Sequence, residues 1–219
     1  MTDAPSAAAL RRTLTVGGVL LIAGAVLTFA QPTFFSLSIP LAEVMSWLAV
    51  GAYSATLLVF AFGLGRSGSI VSRRPLAVTA AVIVAAWPLV QRMVSWLVPV
   101  ESALDFYRAW GYISWTVTLA ATIVFVVQIA RAGVLRGRVR WMPLWGLVIV
   151  VVPQILTQAV IVAAGIDFST RADEWIFLFF GLERLCAFAV PVALGIIALV
   201  IANRAAPVSD PVQVYPPST

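Results

Sequence analysis

Six stretches of the chain, at about 13–30, 41–64, 76–98, 108–130, 142–164 and 175–202, are apolar almost without interruption. Each is near the ~20 residues that a helix needs to cross the ~30 Å hydrocarbon core of a bilayer. They take up most of the 219 residues, and the whole is 62% hydrophobic and 11% charged. An ordinary soluble domain has roughly 45–50% apolar and about 25% charged residues, so too little polar sequence is left here to cover a water-soluble globule. Inside lipid every backbone donor and acceptor has to be satisfied within the protein, which restricts spanning segments to helices or a closed barrel. The alternating segments of a barrel are missing from the sequence. The expected fold is an all-α integral membrane protein, a bundle of six transmembrane helices.

Proline and glycine mark the breaks: Gln31-Pro32 and Pro40 after the first span, Gly65 to Pro75 after the second, Pro99 after the third and Gly133 to Pro143 after the fourth. The connections are too short to hold a folded extramembrane domain. Residues 1–204 are therefore expected to form a single membrane domain. Residues 205–219, with Pro207, Pro211, Pro216 and Pro217, are expected to form a disordered tail.

Arginine sets the expected orientation, because cytoplasmic loops are enriched in basic residues. Arg11, Arg12, Arg66, Arg73, Arg74, Arg131, Arg136, Arg138, Arg140 and Arg204 flank the spans on one side. The other side has only Arg108 and Arg171, beside Glu101, Asp105, Asp167, Asp173 and Glu174. Both termini should be cytoplasmic, in a multi-pass protein of the cell membrane. The net charge of +5 follows from this topology and from anionic headgroups, with no need for a nucleic-acid partner. Arg11-Arg12, the first apolar run and Thr28-Phe29-Ala30 also resemble a signal peptide. That run is long enough to span, and five more spans follow it.

The chain has no His and no Lys, and Cys186 is its only cysteine. Ser-His and Cys-His catalytic pairs, imidazole metal sites, Schiff-base lysines, Walker A loops and CxxC redox pairs are thereby excluded. No enzyme, cofactor or metal site is expected. Gly63-Leu64-Gly65-Arg66-Ser67-Gly68 matches G-x-G-x-x-G, but a dinucleotide fingerprint needs a strand before it and a βαβ unit around it. Here it lies where a span ends, and it reads as a turn. Gly17, Gly18, Gly24 and the pairs Ala81/Ala85 and Ala189/Ala193 read as sites of close helix packing.

A shift of 65 positions superposes Val59-Phe60 on Val124-Phe125, Arg66 on Arg131, Gly68 on Gly133, Arg73 on Arg138 and Pro88 on Pro153. Duplication of a helical hairpin, spans two and three copied as four and five, would produce this pattern, as in repeat-built transporters. Arg and Gly loops between any two apolar helices would produce part of it by chance.

Polar residues inside the spans carry the functional expectation. Glu43, Arg92, Glu183 and Arg184 are ionisable. Pro88, Gln91, Arg92 and Ser95 share one face of span three, while Gln154 and Gln158 stack at i, i+4 on span five. Stripes of this kind are costly against lipid and should face inward. Gln91, Arg92, Gln154, Gln158 and Glu183 are accordingly expected to line an outward-facing site for a small polar or zwitterionic solute, with Arg92 paired to Glu183. Trp47, Trp96, Tyr107, Trp110 and Trp175 would form an aromatic rim, and Trp87 alone lies between the two interfacial belts. The expected function is solute binding or transport. The alternative is a non-catalytic structural or regulatory subunit, packed on another membrane protein, whose polar cluster only holds helices together.

Overall fold

The computed structural model describes residues 7–37, 39–65, 68–71, 74–98, 104–134, 137–164 and 174–204. They form α1 (Ala7–Leu37), α2 (Ile39–Phe62), α3 (Pro75–Leu97), α4 (Leu104–Ala132), a 3-10 turn (Gly137–Trp141), α5 (Met142–Ala164) and α6 (Glu174–Arg204). There is no strand among the described residues. All six helices are long and apolar enough to cross a membrane. The tail 205–219, the segment 165–173 and Arg66, Arg73 and Arg136 lie outside the described residues.

The helices form a ring in chain order. Each packs on its sequence neighbours, and α6 returns to α1. One seam is weak, because α4 and α5 barely touch. Small residues let the other pairs approach: Ala77, Ala80, Ala81 and Ala85 form the buried stripe of α3, with Ala42, Ala49 and Ala61 buried on α2. Without a hydrophobic drive between helices in lipid, close backbone approach of this kind supplies the dispersion energy that holds them together.

The tightest core lies at the Arg-rich end, where Leu14, Ala61, Ile70, Val71, Phe125, Ile129, Ala198 and Ala202 cluster. Its floor is the turn between α2 and α3. Thr13 of α1 accepts a hydrogen bond from the Leu64 N–H at 2.9 Å, Ser69 donates to the Ala61 carbonyl at 2.6 Å, and the Ile70 N–H reaches the Phe60 carbonyl at 3.2 Å. These bonds hold Ile70 and Val71 in the base of the ring. The G-x-G-x-x-G segment supplies the geometry. Gly63 is left-handed at φ 72°, and a Cβ there would lie 2.3 Å from the Gly68 backbone.

Proline lies inside four of the helices without ending them. The expected break at Gln31-Pro32 is absent: α1 continues through Pro32 to Leu37, as membrane helices tolerate when freed carbonyls find other partners. Pro88, Pro153 and Pro191 likewise lie inside α3, α5 and α6. Near Pro88, Ser54 of α2 donates to the Ala85 carbonyl at 2.8 Å, so a neighbouring helix serves the disturbed turn.

The two segments matched by the 65-residue shift form the α2–α3 and α4–α5 hairpins, and these differ. The first pair packs closely over a buried turn, whereas the second pair is parted and joined through the exposed 3-10 turn.

Candidate functional site

The helices surround a half-open cavity of about 450 Å³, walled by residues of all six. It extends from Ile70, Met142 and Ile201 at the Arg-rich end up to Trp87 and Gln91. This volume falls in the range of roughly 300–1,000 Å³ typical of small-molecule pockets. No charged side chain lines it. Of the wall hydroxyls, which include those of Tyr53 and Thr118, three are engaged with backbone carbonyls: Ser54 with Ala85, Thr56 with Ala52 at 2.8 Å, and Thr122 with Thr118 at 2.7 Å. These bonds leave the wall apolar in character, with Phe60, Phe125, Leu147 and Leu194 as its bulky members.

A polar knot lies at the other end of the cavity, beside Trp87 and Gln91. Ser114 of α4, only 3% exposed, accepts a 2.7 Å hydrogen bond from Trp87 Nε1 and a second from Gln91 Nε2. Both donors come from α3 and are one turn apart, so a single hydroxyl pins two positions of that helix. The Trp87 ring stacks on Trp110 at 5.8 Å, and Trp110 on Phe106 at 6.1 Å. Phe106 and Trp110 are four residues apart on α4, which places them on one face. Tyr107 donates to the Val98 carbonyl and so ties the end of α3 to the start of α4.

Of the five residues expected to converge, Gln91 alone borders the cavity. Arg92 turns toward α2, donating to the Ser46 hydroxyl with its guanidinium carbon 3.9 Å above the Trp47 ring. Gln154 is half-buried and Gln158 exposed on α5, and Glu183 is half-buried on α6. The expected Arg92–Glu183 pair does not form, because ring order puts α2 and α1 on one side between their helices, and α4 and α5 on the other. Arg184 instead caps the α1–α6 contact, donating to the Phe29 carbonyl at 2.6 Å and lying 5.0 Å over the Phe29 ring. The two arginines are thus held by π-faces and neutral oxygens, which keep a guanidinium stable near an interface without a carboxylate.

The expected aromatic rim is divided: Trp110 and Tyr107 join the cluster around Trp87 and Phe106, Trp47 lies under Arg92, and Trp96 is at the surface, as is Tyr112 of α4. Trp96 is 87% exposed and Tyr112 77% exposed, facing outward from the ring, and the Trp175 side chain lies outside the described residues. Sequence reasoning passed over Ser114 because a single serine in an apolar span carries no pattern. Its partner did stand out: Trp87 lies well inside its span, where an indole N–H needs a buried acceptor.

Comparison of the chain with protein-family models, with characterised proteins and with solved structures finds no match.

Proposed function

We propose that the protein is a membrane-embedded binding protein of the transport-related class, whose ligand has an apolar body that fits inside the helix ring. The reading assigns both termini to the cytoplasm and the chain to the cell membrane. The observation that carries it is the central cavity. A wall this poor in free polar groups holds water weakly, since water needs two to four polar partners, and it favours apolar molecules instead. A small zwitterion would lose its hydration among Phe125, Leu147 and Leu194 without charged partners to replace it, so the ligand chemistry proposed differs from the sequence expectation. Gln91, the single amide on the wall, offers one polar contact at the end held by Ser114.

Mass spectrometry of the protein extracted in mild detergent tests the reading. A small amphipathic or apolar molecule should be retained near stoichiometry by the native chain and lost from Thr122→Trp, which fills the cavity. A second protein copurifying at stoichiometry, with nothing retained in the cavity, would favour the structural-subunit role.

A further inference from the structure

We propose that the cavity takes a single-chain anionic amphiphile from the adjoining lipid leaflet. Its alkyl tail lies among Phe125, Ile129 and Leu147, and its phosphate or carboxylate head rests on Arg131, Arg138 and Arg140. The inference rests on the binding role proposed above and specifies the ligand of that same site.

Two placements carry it. The first is the weak seam of the ring. The other neighbouring helices pack directly, but α4 and α5 barely touch, and both flanks of their seam line the cavity, with Phe125 and Ile129 on α4 and Met142 and Leu147 on α5. The buried Ile70 and Val71 close the Arg-rich end beneath α1, α2 and α3. The α4–α5 side is therefore where a chain can pass between cavity and lipid.

The second placement is the charge at that seam. Arg131 lies in the last turn of α4, two residues beyond the cavity-lining Ile129. Arg138 and Arg140 flank Val139, itself a wall residue, on the 3-10 turn that packs against both α4 and α5. All three arginines are exposed, and among the described residues none is joined to a carboxylate. The sequence has no acidic residue between Asp105 and Asp167. Arg140 lies 5.6 Å over the Trp141 ring, a contact that uses none of its N–H donors on a carboxylate. Guanidinium forks bind phosphate and carboxylate with two parallel charge-assisted hydrogen bonds. An uncharged chain path with three unpaired cations at its mouth matches an amphiphile with a negative head and does not match a neutral one.

The test uses the full chain in nanodiscs of zwitterionic phosphatidylcholine. Dodecyl phosphate carrying a diazirine on its chain is photolysed beside an equally labelled dodecyl maltoside, and adducts are mapped by mass spectrometry. The anionic probe should label the Phe125–Ile129 stretch and Leu147 at least tenfold more than the neutral one. Unlabelled dodecyl phosphate should suppress this, and inorganic phosphate at the same concentration should not. R131Q/R138Q/R140Q should cut anionic labelling about tenfold and leave neutral labelling unchanged, while R131K/R138K/R140K, which keeps the charge, should restore most of it. Equal labelling by both heads, or displacement by inorganic phosphate, would overturn the anionic-lipid assignment and leave the binding role standing. Absence of cavity adducts with either probe would overturn both.

Discussion

Gly18 of α1 and Gly195 of α6 cross with their backbones in direct contact: a Cβ built on either would lie 2.8 Å from the other's carbonyl oxygen. No side chain can rotate away to relieve that clash, so even alanine must push the helices apart. Overpacking of this type costs about 1–3 kcal/mol. Gly18→Ala and Gly195→Ala should each lower the melting temperature in detergent. Gly51→Ala should be neutral or stabilising, since its Cβ would meet nothing within 4 Å and alanine is favoured over glycine in a helix by roughly 0.5–1 kcal/mol. Equal behaviour of Gly18→Ala and Gly51→Ala would show that the crossing is not tight.

Ser114→Ala removes one hydroxyl and leaves two donors, Trp87 Nε1 and Gln91 Nε2, without their acceptor. Gln91 is exposed and can turn to other partners, but the half-buried indole N–H of Trp87 cannot. A donor left unsatisfied costs about 1–3 kcal/mol where it is buried, so this substitution should destabilise more than Ser95→Ala, whose hydroxyl only returns to the Arg92 carbonyl of its own helix. Ser114→Thr keeps the oxygen and should recover most of the loss. The readout is thermal unfolding, together with a changed fluorescence spectrum of the Ser114→Ala protein relative to its Trp87→Phe counterpart.

Existence and number of the helices were legible because unbroken apolar length is a one-dimensional signal, and so were some of the limits, although α1 at Ala7–Leu37 overruns the expected 13–30 at both ends. The expected span 76–98 meets α3 at Pro75–Leu97, and 142–164 meets α5 at Met142–Ala164. Pro32 misled, since proline ends a helix in water more readily than in lipid. The site was legible only in part. Helical periodicity placed Gln91 and Arg92 one residue apart on a shared stripe, but the ring order decides what each meets, and one residue of rotation sends Gln91 to Ser114 and Arg92 to Trp47. The rule that intramembrane charges pair did not anticipate that an aromatic face and a serine would serve a guanidinium instead. The cavity left no mark in the sequence, because it depends on α4 and α5 standing apart.

The separation of Arg92 from Glu183 is testable by a double-mutant cycle. Arg92→Leu and Glu183→Leu act on helices across the ring, so their losses should add within about 0.3–0.5 kcal/mol. Arg92→Leu and Trp47→Leu share a contact and should couple by about 0.5–1 kcal/mol. A coupling at Glu183 larger than that at Trp47 would restore the ion pair.

The proposed orientation depends on arginine asymmetry alone. With Cys186→Ser as background, an impermeant thiol reagent applied to whole cells should label Ser38→Cys, between α1 and α2, and spare Ser67→Cys in the Arg-rich turn. The opposite pattern would invert the bundle and place Arg131, Arg138 and Arg140 on the outer face.

Gly63 and Gly133 test whether the floor of the cavity matters to binding. Both are left-handed, at φ 72° and 70°, so alanine at either position carries a backbone cost of roughly 1–2 kcal/mol. Their surroundings differ. A Cβ at Gly133 meets nothing within 4 Å, whereas one at Gly63 would lie 2.3 Å from the Gly68 and Ser69 backbone. That backbone positions the Ser69 hydroxyl and the Ile70 N–H, whose hydrogen bonds hold the turn beneath the ring. Gly63→Ala should therefore destabilise beyond the left-handed cost, displace Ile70 from the cavity wall and weaken retention of the bound molecule. Gly133→Ala should lose only the backbone term and retain its ligand. Melting curves recorded beside ligand content by mass spectrometry separate the two, and matching losses in both variants would mean that the buried turn contributes nothing to the site.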